Sequence, residues 1–156
     1  MQGNKPIIDT LNKLLTEELT AADQYFIHSR MFHDWGLNAL YERFKHEQEE
    51  ELDHASRLVE RILFLEGTPD VGSRSALNVG KTLPQMLKND LDYELAVGTA
   101  LKSAIAECEK AKDYVTRGIL VDLLTDTEED HTHWLEKQLG LIDKMGLENY
   151  TQSVAS

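Results

Sequence analysis

The 156-residue chain contains one cysteine, three prolines and nine glycines, has no apolar run long enough to span a bilayer, and sets only 16 Lys and Arg against 28 Asp and Glu. Each shortage excludes something. A single thiol, Cys108, forms no internal disulfide, and its place on an apolar-facing helical position marks it as a buried structural thiol rather than a reactive one. Few helix breakers, with 41% hydrophobic and 28% charged residues, suit long helices and argue against a β-sandwich or a disordered tail. A net charge of −12 without a basic tail repels phosphate backbones and anionic membranes and draws in cations. No nucleic-acid or membrane partner is expected, and metal ions fit better. The first residues carry no apolar h-region, so a cytoplasmic protein is expected. The length suits one domain over residues 1–156.

What is present is helical periodicity. Apolar residues at spacings of three and four predict a first helix from about Pro6 to Asp34, stopped by Gly36, and a second from about Asn38 to Glu66, stopped at Gly67-Thr68-Pro69. Residues 67–82 have no usable period and read as a long connection. A third helix is expected from about Thr82 to Lys112, a fourth from about Asp113 to Lys144, and a short tail helix from about Leu147 to Val154. Short turns at 35–38 and near 112 make two antiparallel hairpins, and the long segment between them permits one crossover. The expected fold is all-α: a four-helix bundle with a single long crossover and a short C-terminal helix.

Carboxylates interrupt all four apolar stripes. Glu18 sits among Leu11, Leu14, Leu15, Ala22 and Tyr25; Glu51 and His54 sit among Phe44, Leu58, Ile62 and Leu65. Glu94 sits among Leu87, Leu91, Gly98, Leu101 and Ile105, and Glu128 and His131 sit among Val121, Leu124, Leu135 and Ile142. Each half of the chain thus offers a Glu on its first helix and a Glu-x-x-His on its second, the only trace of an internal repeat. The i, i+3 spacing puts both members of a Glu-x-x-His pair on one surface. Four buried carboxylates would otherwise take up protons, whereas two dications carry +4 against their −4 and leave a neutral oxygen-and-imidazole site suited to iron or manganese. One Glu-x-x-His alone is a weak signal; six residues on four stripes are a strong one.

Asp130-x-x-His133 offers a competing frame on the fourth helix, but at about 100° per residue it faces away from the stripe. Glu47 extends the inward stripe of the second helix, His46 and Glu50 flank it, and Glu49 faces solvent. Glu50 and Asp126 lie beside the two Glu-x-x-His pairs, where each can accept the outer N–H of a metal-bound histidine. Tyr25 can hydrogen-bond a metal ligand or donate an electron. His28 and His33 show no partner pattern, and His28 is expected at the surface or a subunit contact.

Over nearly its whole length the chain resembles the bacterioferritins and close bacterial ferritins. The segments Ile8–Leu15, Gln24–His28, Arg61–Gly67 and Gly146–Tyr150 look like that family's, as do the six candidate ligands. The resemblance implies a ferritin-like bundle, a shell of 24 subunits, and a di-iron ferroxidase centre built from Glu18, Glu51, His54, Glu94, Glu128 and His131, with Glu51 and Glu128 bridging. It implies iron storage: Fe(II) oxidised by O2 or peroxide and deposited as Fe(III) in the cavity. His46 and Glu50, with Glu47 beside them, match the region where bacterioferritins can hold a further iron on the inner surface, Glu50 replacing the usual Asp. The resemblance also suggests a ferredoxin as reductase partner.

Two departures stand out. The family's Asp-Glu-Glu-x-His becomes Asp126-Thr127-Glu128-Glu129-Asp130-His131, with one extra residue that a helix commonly absorbs as a π-bulge. The family's haem-ligating methionine, directly after the second-helix glutamate, is Leu52 here, so a homo-oligomer is expected to bind no haem there. Haem remains compatible with a mixed shell containing a methionine-bearing subunit. Rival functions are a dimeric di-iron peroxidase or oxygenase of the same fold, weakened in its rubrerythrin form by the lack of a Cys-x-x-Cys module, and a DNA-protecting mini-ferritin, disfavoured by the acidic charge.

Overall fold

The computed structural model describes residues 1–156 and is helical throughout, without a strand. Helix α1 spans Lys5–Asp34; the Asn4 side chain accepts the Ile7 N–H at 3.3 Å and Pro6 lies in the first turn, where its missing N–H costs nothing. It ends where Gly36 adopts φ +77°, a left-handed conformation that lets the chain reverse into α2, Asn38–Phe64. The residue that turns left-handed after α2 is Glu66, φ 63°, not the expected Gly67. Gly67 answers a different need: a Cβ there would meet Ile8 Cγ2 at 2.7 Å.

Helix α3, Leu83–Lys110, is capped by Thr82, whose hydroxyl accepts the Gln85 N–H. The fourth rod is continuous but not uniform: α4 (Tyr114–Thr125), a seven-residue π-helical segment (Asp126–Thr132), then α5 (His133–Met145). Asp113 caps α4 through the Thr116 N–H, 3.1 Å. The tail helix α6, Leu147–Ser153, folds back so that Tyr150 is buried with its hydroxyl donating to Gln138 Oε1 at 2.7 Å, and the Ala39 N–H donates to the Val154 carbonyl at 3.1 Å.

The crossover 67–82 has no regular structure, yet four of its backbone N–H groups are held by side chains spaced one or two turns apart along α1. Asn12 accepts the Asp70 N–H at 2.8 Å, Thr20 the Ser75 N–H at 2.9 Å, Gln24 the Asn78 N–H at 3.0 Å, and His28 Nε2 the Gly80 N–H at 3.2 Å. His28 is therefore not a surface residue. It is fully buried, and because Nε2 accepts, Nδ1 carries the proton that it donates to Asp90 Oδ2 at 2.8 Å. Gln24 donates to the other oxygen of Asp90, also at 2.8 Å. A period-four stripe of polar residues thus clamps the crossover and ties it to α3.

Two apolar clusters fill the bundle. One joins Leu11, Leu15, Leu58, Ile62, Leu101, Leu120 and Leu123; the other joins Tyr25, Phe32, Phe44, Leu87, Leu135 and Tyr150. On each rod the buried acid or histidine lies between residues of the first cluster and residues of the second: Glu18, Glu51 with His54, Glu94, and His131. A polar layer therefore crosses the middle of the bundle, and side chains worth ~1.5–3 kcal/mol each on burial flank it on both sides. The buried thiol of Cys108 belongs to the first cluster.

Candidate metal centre

Two donor groups meet in the polar layer and share one carboxylate: Glu18, Glu51 and His54 form the first, Glu51, Glu94 and His131 the second. All five side chains are at most 1% exposed. Both histidines turn Nδ1 inward. His54 Nδ1 lies 3.4 Å from Glu18 Oε2 and 3.6 Å from Glu51 Oε2, and His131 Nδ1 lies 3.0 Å from Glu51 Oε1 and 3.4 Å from Glu94 Oε1. Glu51 thus presents one oxygen to each half, the geometry of a bridging carboxylate, and the two imidazoles lie near-parallel with centroids 5.9 Å apart.

The outer ring nitrogens are held crosswise. His54 on α2 meets Asp126 Oδ2 of the π-helical segment at 3.1 Å, and His131 of that segment meets Glu50 and, at 2.8 Å, Glu47 Oε2 on α2. Each rod orients the other's histidine, which sets ring direction before any ion arrives. Tyr25 donates its hydroxyl to Glu94 Oε1 at 2.6 Å, fixing that carboxylate.

Without a metal, protons hold the layer together. Burial alone would push both histidines down, but Glu18 and Glu51 raise His54 to about 11, and Glu47, Glu50, Glu51 and Glu94 hold His131 well above the histidine range. Burial, and then the neighbouring Glu51, push Glu18 well up. The hydrogen bond from His131 holds Glu50 down at about 2, against a smaller upward push from burial. Burial also raises the Tyr25 phenol, with Glu94 next in effect. Even so, Glu18 Oε1, Glu51 Oε2 and Glu94 Oε2 are buried without a hydrogen-bond partner. Orphaned oxygens converging beside two imidazoles are what a hard or borderline dication satisfies.

Glu128 is placed elsewhere. Its side chain is about half exposed and pairs with Lys102 at 3.1 Å. The expected stripe Val121, Leu124, Glu128 is corrected to Leu120, Leu123, Thr127, which are the buried positions. The physical cause is the extra residue. In a π-helix the step falls to roughly 80° per residue from ~100°, so Glu128 and His131 stand about 120° apart instead of ~60°. Thr127, four residues before His131 and about 40° from it at either step, shares its face; it is 1% exposed, and its Oγ1 has no partner. The smaller step also turns Asp130, set aside on the α-helical step, toward His131, and it joins a second donor group with Glu47, Glu50 and His131. Arg43 neutralises part of this group, donating to Asp130 Oδ1 at 2.9 Å and forming an ion pair with Glu47, Nε to Oε1 2.6 Å, while stacking on Trp134. Of the inner-surface candidates, Glu47 is buried, Glu50 half-buried, and His46 largely exposed with Nε2 2.7 Å from Glu50 Oε1. The six-residue interval Asp126–His131 was the one available signal for Thr127 and Asp130.

The ferritin-like domain family matches residues 8–145. The chain belongs to the ferritin family. Among its relatives, a bacterial ferritin of Synechocystis is 57% identical over 156 residues, the whole of both chains. A bacterial ferritin of Paramagnetospirillum magnetotacticum is 59% identical over 99% of this chain and 95% of its own. A bacterioferritin of Mycolicibacterium paratuberculosis stands further off, at 39% over all of this chain and 98% of its own. This ferritin is thus nearer to those bacterial ferritins than to that bacterioferritin. No helix in it is long and apolar enough to cross a membrane.

Proposed function

We propose that this ferritin oxidises Fe(II) in the polar layer and stores the Fe(III) product, with Glu18, Glu51, His54, Glu94 and His131 as the preformed donors and Glu128 joining when the ions arrive. The observation that carries this is Glu51, buried and offering one oxygen toward each histidine, beside orphaned oxygens of Glu18 and Glu94. Glu18, Glu51, Glu94 and Glu128 supply −4 and two Fe(II) supply +4, so the loaded layer becomes neutral without protons. Two Fe(II) give two electrons to O2, which with two protons leaves as H2O2, or to H2O2, which with two protons leaves as water; the chain positions the ions, and its four carboxylates offset four of the six positive charges of the Fe(III) pair. Glu47, Glu50, Asp130 and His46 extend the acidic lining from His131 outward, a path along which Fe(III) leaves for the cavity. A shell of 24 chains, a ferredoxin as electron donor for iron release, and a cytoplasmic location complete the proposal.

The test is anaerobic Fe(II) titration followed by O2, read by absorbance, iron content and particle mass. Many irons per chain in a very large shell support storage. A dimer retaining only two would instead mark a di-iron peroxidase or oxygenase.

Metal uptake must displace the histidine protons, because the carboxylates raise His54 to about 11 in the metal-free chain. Loading with Zn(II) is therefore expected to release roughly two protons per chain near neutral pH, and affinity to rise with pH by up to about one decade per unit for each proton released. Proton release in weakly buffered dye solution measures this. A flat affinity between pH 5 and 7.5 would remove the histidines from the donor set.

Haem does not fit the corresponding surface of this chain. Leu52 is 46% exposed on α2 and its alkyl side chain has no lone pair to give iron. Shells of this chain alone, expressed with haem supplied, are expected to be colourless in the Soret region, and Leu52→Met to introduce a low-spin spectrum. A stoichiometric methionine-ligated haem in the unaltered shell contradicts this expectation; a mixed shell with a methionine-bearing subunit remains compatible with it.

A further inference from the structure

We propose that Fe(II) reaches the centre through the groove between α3 and the π-helical segment, handed inward by Glu128 from a resting position on Lys102. The proposal rests on the donor set described above. The groove, about 330 Å³, has Glu94 at its floor, Gly98 and Lys102 on the α3 wall, and Glu128, Thr132 and Glu136 on the other. Glu94 is 1% exposed, Tyr25 occupies its Oε1, and its Oε2 is buried without a partner, so the groove is lined by a residue of the centre that still has an unsatisfied carboxylate oxygen. Gly98 stands one helical turn beyond Glu94, and a Cβ placed there would meet no atom within 4 Å. The missing side chain leaves the way to Glu94 open.

The mouth is built to accept a dication. Glu128 and Glu136 offer two carboxylates, and the single cation, Lys102, holds Glu128 Oε2 at 3.1 Å with both side chains about half exposed. Such a solvated pair is weak, so an arriving dication can take Glu128 from it. A larger groove of about 480 Å³ lies between α1 and α3, but none of its lining residues belongs to the centre. Its acids are already engaged: Glu17 with Tyr93 and Ser75, Glu107 with Thr10.

The experiment mixes metal-free shells with Co(II) anaerobically in a stopped-flow instrument and follows the visible absorption of the bound ion, with final stoichiometry by equilibrium dialysis. Gly98→Leu is expected to slow loading at least ~10-fold while binding the same number of ions at the end, with Gly98→Ala intermediate. Lys102→Gln is expected to speed loading roughly 3-fold at low ionic strength, an advantage lost in high salt. Wild-type loading rates in Gly98→Leu, or in Lys102→Gln at low salt, overturn the route. Should Gly98→Leu lose its helical circular dichroism, Gly98→Ala and Lys102→Gln decide, since alanine only raises helix propensity there. If unaltered shells take up no pair of Co(II), the centre fails first; about two ions per chain with unslowed Gly98 variants refutes the route alone.

Discussion

His131→Ala and Glu18→Gln are expected both to stop rapid Fe(II) oxidation, by ~10²-fold or more, yet to move the stability of the metal-free chain in opposite directions. His131 is the cation around which Glu47, Glu51 and Glu94 pack, at 2.8, 3.0 and 3.4 Å. Its removal leaves buried carboxylates unpaired and opens a cavity, a loss of about 3–5 kcal/mol. Glu18 is the reverse case. Burial first, then the neighbouring Glu51, disfavour its charge, while His54 keeps Asp126 at 3.1 Å when Glu18 is neutralised. Glutamine preserves the shape and removes the charge, for a gain of roughly 1 kcal/mol. Urea midpoints in the presence of a chelator, beside stopped-flow oxidation, read both effects. Wild-type oxidation in either variant would remove that residue from the centre.

Deleting Thr127 is expected to convert the π-helical segment to α-helix and bring Glu128 onto His131's face without any external trigger. The deletion restores the spacing Asp-Glu-Glu-x-His and puts a carboxylate where a buried, unpartnered hydroxyl now sits. A sixth buried donor adds repulsion to the metal-free layer, so the urea midpoint with chelator should fall, by about 1–3 kcal/mol of stability. With Zn(II) the order should invert, because the ions then neutralise all four carboxylates in place. Equal midpoints for the two chains, with and without metal, would show that Glu128 does not enter the centre in either.

The contrast between these two regions shows how much of the site was legible. Glu18, Glu51, His54 and Glu94 stand on uninterrupted α-helices, where a step of ~100° per residue maps sequence spacing directly onto one face. Each was therefore readable as an acid or histidine intruding on an apolar stripe, and each is at most 1% exposed. Tyr25, two turns from Glu18, followed the same rule and meets Glu94. On the fourth rod the rule changes inside the rod. From Tyr114 to Thr125 the buried face runs through Leu120 and Leu123; Thr127, four residues on from Leu123, continues that face and leaves Glu128 outward, and the π-helical segment takes up the extra residue between Thr127 and His131. His28 was missed for another reason: its partners, Gly80 and Asp90, are 52 and 62 residues away, and no local spacing announces them.

Taken by itself, the sequence determined the four rods, the long connection, the interruption of the first three stripes by an acid, and the leucine at position 52, because these depend on composition and on a helical period that each segment carries within itself. The tertiary structure decided where the surplus residue of the fourth rod is absorbed. A π-helical turn costs helix geometry at that point, and it is stable here because it lets Leu120 and Leu123 pack in one apolar cluster and Leu135 in the other, with His131 reaching Glu51 between them. The crosswise pairing of His54 with Asp126 and His131 with Glu50, and the resting of Glu128 on Lys102, follow from that one choice of phase. Their partners lie on different helices, so only the packed bundle brings them within hydrogen-bonding distance.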